Sequence, residues 1–399
     1  MRVAILREEA GLEPRVAASA DTVKRYVGLG AAVFVASGAG LASGIGDSDY
    51  EGAGATVVAD NEAAVAGADI VLAVRRPAAA ALKGANKGAL VIAIADPFGH
   101  EAALEEIAGT GASLFAMELM PRITRAQVMD VLSSQANLAG YRAVIDASSE
   151  FGRAFPMMMT AAGTVPAARV FVMGAGVAGL QAIATARRLG AVVSATDVRP
   201  AAKEQVESLG GKFIAVEDEE FKQAETSGGY AKAMSAEYQQ KQAALTASHI
   251  AKQDIVITTA LIPGRPAPKL VSGDMVASMK PGSVLIDLAV ERGGNVEGAV
   301  PGEVATTANG VKIVGHLNVP GRLAATASQL YAKNLYAFVE TLIDKTSKSL
   351  AVKWDDELVK ATLLTRDGAV VHPGFAPAAP AAEVPAAAAA SAEAPSSAA

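Results

Sequence analysis

The 399-residue sequence contains no cysteine. Disulfide bonds, thiolate-ligated metals and a cysteine nucleophile are therefore excluded. Aromatic residues make up only 5% of the chain, whereas apolar residues make up 51%, so the cores must be built mainly from Ala, Val, Ile and Leu. This composition is typical of parallel sheets covered by helices, whose strands read as continuous apolar runs.

The sequence also lacks an excess of positive charge: 35 Lys and Arg residues are outnumbered by 41 Asp and Glu residues, which gives a net charge of −6. Nucleic-acid binding needs a basic surface, so we expect no nucleic-acid partner. No stretch approaches the roughly 18 to 20 uncharged apolar residues of a membrane-spanning helix. The first residues, MRVAILREEAG, do not resemble a signal peptide, which predicts a cytoplasmic chain.

Metal-binding and hydrolase motifs are missing as well. The four histidines (His100, His249, His316 and His372) are scattered and show no ligand spacing. The sequence has no HExxH, Walker A or GxSxG motif, so no metal site is predicted.

Residues 168–197, ARVFVMGAGVAGLQAIATARRLGAVVSATD, carry the most informative motif that is present. An apolar run meets three glycines, a helical pattern follows, and a second apolar run ends on Asp197. Gly174 suits a tight turn, Gly176 lets a pyrophosphate approach the backbone, and Gly179 allows close packing of helix on strand. Asp197 can accept hydrogen bonds from an adenosine ribose and would repel a 2′-phosphate. The unit predicts NAD(H) binding.

Residues next to these strand ends complete the predicted cofactor site. Arg199 lies near the ribose position, where its charge would weaken discrimination against NADP, but Asp197 is expected to hold the nearer position. The further predicted cofactor-binding residues are Val177, Ala178, Val198, Arg199, Thr259, Ala260 and Leu261.

Strands alternate with helices along most of the chain, which predicts an α/β fold of two doubly wound parallel-sheet (Rossmann-like) domains flanking a nucleotide cleft. We expect an N-terminal domain over 1–125, completed by a returning segment at 328–373, a linking helix over 126–153 and an NAD-binding domain over 154–327. The last residues, 374–399, are rich in Ala, Pro and Ser and lack the large apolar residues of a core, which predicts a disordered tail.

A set of polar residues lies just before and at the start of the predicted linking helix, in the segment MELMPRITRAQVMDVLSSQ. If the helix begins near Thr124, then Gln127, Asp130 and Ser133 share one face, and Arg122 can point the same way. Two interpretations stay open: a solvated face capped by Thr124, or a polar bracket for a flat ligand such as a nicotinamide amide. The group contains no obvious acid–base or nucleophile pair.

A long polar stretch interrupts the second domain over 217–242, with Gly228-Gly229-Tyr230 at its middle. Such a stretch predicts a surface loop with some helix. It can be a lid over the cleft or a passive insertion.

Several long segments together resemble the NAD(H)-binding subunit of the proton-translocating NAD(P) transhydrogenases, in the version in which it is a separate polypeptide. The resemblance covers residues 1 to about 373. Its most specific segments are EPRVAAS, MELMPRITRAQVMDVLSSQANLAGYRAVIDA, FPMMMTAAGTVPAARVFVMGAGVAGLQAIATARRLGAVVSATDVRP, KEQVESLGGKFI, ETSGGYAKAM, ITTALIPGRPAP, MKPGSVLIDLAVERGGN and VKIVGHLNVPGR.

This resemblance implies an enzyme, a Si/Re-specific transhydrogenase that is active only with partner subunits. It implies that NADH on this chain passes its hydride directly to NADP⁺ on a partner beta subunit, which binds NADP(H), and that this transfer is coupled to proton movement through membrane subunits. It also implies a homodimer, a small membrane subunit that forms the second portion of a split alpha subunit, and a peripheral position on the inner face of the cytoplasmic membrane. The residues implied in catalysis are Arg122, Gln127, Asp130 and Ser133 at the nicotinamide and Tyr230 on a mobile loop.

Two alternatives remain at this level. Alanine dehydrogenase resembles the same family, but here only its substrate arginine is kept, as Arg15. Arg75 stands in the region of its lysine, His100 is displaced, and Glu291 replaces its aspartate, so groups that would move protons are missing. The other alternative is a non-catalytic NAD-sensing module that signals through the Tyr230 loop.

Overall fold

The computed structural model describes residues 1–223 and 234–376. Six parallel strands form a first sheet in the order β3-β2-β1-β4-β5-β6. The order reverses between β1 and β4, so the carboxyl ends of these strands open a crevice. The elements are β1 (Arg2–Ile5), α1 (Ala20–Gly28), β2 (Ala32–Ala36), α2 (Asp47–Gly52), β3 (Thr56–Val58), α3 (Asn61–Val65), β4 (Ile70–Arg75), β5 (Leu90–Ile94), α4 (Glu101–Gly109) and β6 (Ser113–Ala116).

The longest helix, α5 (Val131–Glu150), leaves this sheet. A 3-10 helix, Thr124–Met129, precedes it. The two are separated at Asp130, whose backbone (φ −74°, ψ 93°) is not helical and whose side chain caps α5. The sequence-based prediction of one helix over 126–153 was therefore wrong at both ends, because Asp130 begins the helix and Phe151 ends it in extended geometry.

A second sheet has seven strands in the order β11-β10-β9-β12-β13-β15-β14, all parallel except β14. A short hairpin of β7 (Met158–Thr160) and β8 (Gly163–Val165) comes before it. The remaining elements are β9 (Arg169–Met173), α6 (Val177–Arg188), β10 (Val192–Thr196), α7 (Ala202–Ser208), β11 (Lys212–Phe213), α8 (Glu219–Lys222), α9 (Ala236–Ile250), β12 (Ile255–Thr258), α10 (Gly273–Ala277), β13 (Val284–Asp287), β14 (Val304–Thr306) and β15 (Lys312–Val314).

The chain then returns to the first sheet through α11 (Ala324–Thr341). The Tyr331 hydroxyl donates to the carbonyl of Ala73 at 3.0 Å, and the Phe338 ring packs edge-on against Phe115. The chain continues through β16 (Ile343–Asp344), β17 (Ser349–Leu350), α12 (Glu357–Thr362), β18 (Thr365–Arg366) and β19 (Ala369–Val370).

Each sheet has a core of its own on both faces, made largely of Val, Ile, Leu and Ala. In β1, β4, β5, β9 and β12 nearly every residue is buried, as expected for central parallel strands. The predicted fold class, with two parallel-sheet α/β lobes, is confirmed. Elements as short as α2 and β3, with six and three residues, cannot be recognised from hydrophobic periodicity, because they are too short to show a period.

Candidate nucleotide site

The glycine turn between β9 and α6 has the tight geometry that its spacing predicted. Gly174 has a φ of 104°, a region that side chains rarely adopt. A Cβ on Gly179 would overlap the carbonyl oxygen of Gly174, whereas a Cβ on Gly176 would meet nothing within 4 Å. The turn is therefore closely packed at its two ends and open at Gly176, where a ligand can reach the backbone.

Helix α6 begins at this open point. Gly176 is its N-cap, and no side chain in the described part of the chain caps its first turn. The first amide groups of a helix have no intrahelical partner and carry partial positive charge, so they attract an anion such as a diphosphate. These amides belong to the predicted residues Val177, Ala178 and Gly179.

Asp197, directly after β10, lies beside the turn, as the sequence predicted for the ribose carboxylate. Its side chain is 7% exposed. One carboxylate oxygen accepts from the Ala175 amide at 2.7 Å, and the guanidinium of Arg199 pairs with the carboxylate at 2.9 and 3.1 Å. Sequence reasoning placed Arg199 near the site but did not detect this ion pair. Val198, between the two, is 58% exposed.

The predicted residues Thr259, Ala260 and Leu261 follow β12 and border the same turn. The Thr259 hydroxyl donates to the carbonyl of Gly174 at 3.1 Å. The side-chain amide of Asn295 exchanges hydrogen bonds with both backbone groups of Ala260, at 3.0 and 2.9 Å, while Leu261 is 53% exposed. Sequence reasoning missed the fully buried Asn295, although a polar residue after two glycines gave a signal.

The predicted nicotinamide residues divide into two kinds. Arg122 and Gln127 are exposed, and neither side chain has a hydrogen-bond partner in the described part of the chain. Asp130 and Ser133 bind each other: Asp130 accepts from the Ser133 amide at 2.8 Å and from its hydroxyl at 2.5 Å. The predicted single helix face is wrong, because Gln127 lies on the 3-10 helix and only Ser133 lies within α5.

The returning segment holds this 3-10 helix in place. Arg125 pairs with Asp356 at 2.7 Å and with Glu357 at 3.0 Å. The Asn334 amide donates to the carbonyl of Val128 at 2.8 Å and accepts from the Ser134 hydroxyl at 2.8 Å. These contacts span about 200 residues of sequence or more, so no local pattern could have predicted them.

Several contacts among the described residues connect the two sheets across the crevice. Arg292, after β13, pairs with Asp96, after β5, at 2.5 Å. The Asn318 amide donates to the Glu13 carboxylate at 3.1 Å. A Cβ on Gly264 would lie 2.6 Å from the Phe98 ring, so these loops touch. The loops at the carboxyl ends of the two sheets therefore face each other, as in a nucleotide cleft.

A charged cluster lies at the first sheet's side of this cleft. The Arg15 guanidinium binds the Glu13 carboxylate at 2.7 Å and the Gln135 side chain at 2.8 Å, and Arg75 reaches Glu13 at 3.0 Å. Burial raises the pKa of the nearby Glu8 carboxyl to about 7.

The remaining residues raised by the alanine dehydrogenase alternative lie apart from this cluster. His100 contacts the carbonyl of Asp96 through Nδ1 at 2.9 Å, and Glu291 is exposed.

The predicted lid residue Tyr230 lies outside the described residues. Within 1–223 and 234–376, no three His, Asp or Glu residues are grouped as metal ligands. No described helix is both long and apolar enough to cross a bilayer.

Two Rossmann-like lobes with a glycine turn at the cleft define the class of this protein. Residues 4–139 match the family described as alanine dehydrogenase/PNT, N-terminal domain, and residues 143–373 match alanine dehydrogenase/PNT, C-terminal domain. The chain belongs to the alanine dehydrogenase/PNT family.

Individual relatives show whether the chain is more similar to transhydrogenases or to alanine dehydrogenases. In Rhodospirillum rubrum, the first portion of the NAD(P) transhydrogenase alpha subunit is 56% identical over 381 residues, covering 94% of this chain and 99% of the relative. The crystal structure of a transhydrogenase from Sinorhizobium meliloti is 64% identical with a TM-score of 0.84, covering 93% and 100%. Alanine dehydrogenase of Halomonas elongata is 29% identical, covering 93% and 95%. The resemblance to transhydrogenase alpha subunits is thereby confirmed.

Proposed function

We propose that this chain is the NAD(H)-binding subunit of a proton-translocating transhydrogenase, a Si/Re-specific enzyme that is active only with its partners. The single observation that carries the proposal is the open glycine turn at Gly176 beside the Asp197 carboxylate, at the edge of the cleft between the two sheets. The relatives named transhydrogenase support it.

The residues present fit an NAD(H) molecule. Gly174 and Gly179 leave no room for side chains under the turn, whereas the space above Gly176 is open. The first amides of α6 suit the diphosphate, and Asp197 suits the adenosine ribose. The loop of Thr259, Ala260 and Leu261 adjoins the same turn, next to β12.

When bound, NADH would supply the hydride, and NADP⁺ on the partner subunit would accept it. Such a transfer needs no general acid or base. The proposed nicotinamide residues agree with this, because they offer an amide, a cation, a carboxylate that caps α5 and a hydroxyl. The task of Arg122, Gln127, Asp130 and Ser133 is to orient the ring within the roughly 3 to 3.5 Å that transfer requires and to exclude water. Tyr230 is proposed to close over the site.

The proposal includes the partners: a homodimer, an NADP-binding beta subunit and a small membrane subunit, with the chain peripheral on the inner face of the cytoplasmic membrane. The relatives are named as one portion of an alpha subunit, which supports a complex. The hairpin β7–β8 supports the homodimer, since Met157, Met158 and Met159 are 63%, 43% and 81% exposed. Three adjacent exposed methionines are typical of an interaction surface.

Within the proposal the domains are 1–125 with 328–373, a link over 126–153 whose long helix covers only Val131–Glu150, the NAD-binding domain 154–327 and the tail 374–399. The packing of α11 on the first sheet supports the returning segment. Residues 377–399 of the tail lie outside the described residues.

A deuterium-transfer experiment tests the function. Purified chain is mixed with the NADP-binding subunit, NADP and NADH deuterated at the transferred position, and NADPH is analysed by mass spectrometry. Direct transfer puts the deuterium into NADPH. Label lost to water contradicts direct transfer, and NADH binding without any transfer favours the NAD-sensing alternative.

A second assay addresses the alanine dehydrogenase alternative. The chain alone, given NAD and alanine or NADH with pyruvate and ammonia, should leave the absorbance of NADH unchanged, because the groups that would move protons are missing. Turnover of either pair would contradict the proposed function. NADH binding, followed in the same sample by fluorescence, confirms that the protein is intact.

A further inference from the structure

The carboxylate of Asp197 has all its acceptor positions filled. It accepts four hydrogen bonds: one from the Ala175 amide, one from the Arg199 amide and two from the Arg199 guanidinium. An ionised carboxylate offers about four lone-pair positions. A ribose that binds to Asp197 must therefore displace at least one existing donor.

The donors differ in how easily they can leave. The Ala175 and Arg199 amides belong to the backbone beside the glycine turn and beside β10, at 2.7 and 2.9 Å. The guanidinium sits on a long side chain that is 32% exposed and also donates to the Ala175 carbonyl at 3.3 Å. It can leave Asp197 by side-chain rotation, without movement of the backbone. The guanidinium is thus the donor that a ribose diol can replace.

The same guanidinium also affects how well NADP(H) can bind at this site. In dinucleotide-binding folds, a carboxylate after the strand that follows the glycine-turn helix (here β10) disfavours NADP because it repels the 2′-phosphate. An arginine nearby has the opposite effect, because it accommodates that phosphate. Arg199 compensates the charge of Asp197 and lies next to where a 2′-phosphate would stand.

We propose that Arg199 sets the nucleotide specificity of this site by competing with the adenosine ribose for Asp197 and by lowering the repulsion of a 2′-phosphate. Both effects reduce the preference for NADH over NADPH. This inference rests on the proposed NAD(H) site and adds a residue that controls its selectivity.

The test measures the Kd of NADH and of NADPH by fluorescence titration on the full chain. In Arg199→Gln we expect NADH to bind about two- to five-fold more tightly, since the competing ion pair is lost, and NADPH to bind several-fold more weakly. Arg188→Gln is the matched control: Arg188 is exposed and lies at the opposite end of α6, so the same charge change there should leave the ratio of the two Kd values unaltered.

A double-mutant cycle with Asp197→Asn separates the two effects. Asp197→Asn should weaken NADH binding and strengthen NADPH binding, because Arg199 is released toward the phosphate. The gain for NADPH should disappear in Asp197→Asn combined with Arg199→Gln. Melting temperatures of all variants show whether each one is folded.

An unchanged Kd ratio in Arg199→Gln, or weaker NADH binding in that variant at an unchanged melting temperature, would overturn the inference and leave Arg199 as a loop anchor. That result differs from failure of the proposed function, in which the wild-type chain itself would bind no NADH.

Discussion

Arg122 and Gln127 carry polar groups that the fold leaves exposed and without side-chain hydrogen-bond partners in the described ranges. Folding stability gains little from such side chains, which leaves them available for the ligand contacts proposed above. Asp130 and Ser133 differ, because each is already bound to the other at the start of α5. Their structural role as a helix cap and their proposed role at the nicotinamide therefore overlap.

Shortening Gln127 should separate positioning from binding. In Gln127→Asn we expect hydride transfer in the reconstituted complex to slow by about ten-fold or more, because a displaced ring costs rate, with NADH binding changed by less than about three-fold. Stopped-flow absorbance gives the rate and fluorescence gives the Kd. Equal losses in both would contradict the positioning role, and an unchanged melting temperature serves as the folding control.

Glu8 gives a pH-dependent prediction. Burial raises its pKa to about 7 from an ordinary value of 4.5, although the Val74 amide donates to it at 2.6 Å. The folded state therefore binds a proton more tightly than the unfolded state, and the stabilisation from protonated Glu8 is lost as the pH rises from about 4.5 through about 7. Glu8→Gln keeps the acceptor for Val74 without ionising.

We therefore expect Glu8→Gln to raise the free energy of unfolding relative to wild type at pH 8, and to raise it less at pH 5.5. Urea unfolding at the two pH values measures this difference. Glu9→Gln, at the exposed neighbouring position, controls for the loss of one negative charge. The same gain at both pH values would show that Glu8 is not the titrating group.

Among the elements, α5 and α6 approach most closely next to the nucleotide site. A Cβ on Gly140 of α5 would overlap the carbonyl oxygen of Ala178 in the first turn of α6. The position of the glycine turn thus depends on a glycine in a different helix. Sequence patterns marked Gly174, Gly176 and Gly179 but gave no reason to single out Gly140.

Gly140→Ala should lower the free energy of unfolding by about 1–3 kcal/mol, the usual cost of overpacking, and should weaken NADH binding because α6 has to shift. Gly109→Ala is the matched control in α4, since its Cβ would meet nothing within 4 Å; there alanine should be neutral or stabilise by up to about 1 kcal/mol. Chemical unfolding and NADH titration test both variants. Wild-type behaviour of Gly140→Ala would show that the two helices can separate without cost.

On the scale of the whole molecule, the loops at the carboxyl ends of the two sheets meet across the cleft through Arg292 and Asp96, and through Gly264 and Phe98. Phe375 extends this contact, because its ring packs 4.9 Å from that of Phe98. The chain is thus attached to the cleft as far as its described end, beyond which the composition predicts no core.

Deleting 377–399 should leave the melting temperature nearly unchanged, since Ala, Pro and Ser offer little apolar surface to bury. Deleting 375–399 should lower the free energy of unfolding by about 1 kcal/mol, because the aromatic pair with Phe98 is lost. Differential scanning calorimetry of the two truncated chains measures the contrast. A clear drop in the melting temperature of the chain that lacks 377–399 would show that the tail packs on the folded chain.

The sequence by itself determined the α/β class, the glycine turn and the position of Asp197, because these depend on local spacing: a strand, a turn and a helix are encoded by neighbouring residues. Only the tertiary structure decided which polar side chains already have hydrogen-bond or ion-pair partners within the protein. The contacts of Arg125 with Asp356, of Asn334 with Val128 and of Asn295 with Ala260 join distant segments. Even the pair of Asp197 and Arg199, which are two residues apart, depends on side-chain rotamers. The physical reason is that backbone conformation is favoured locally, whereas the partner of a polar side chain depends on which distant surfaces pack against it.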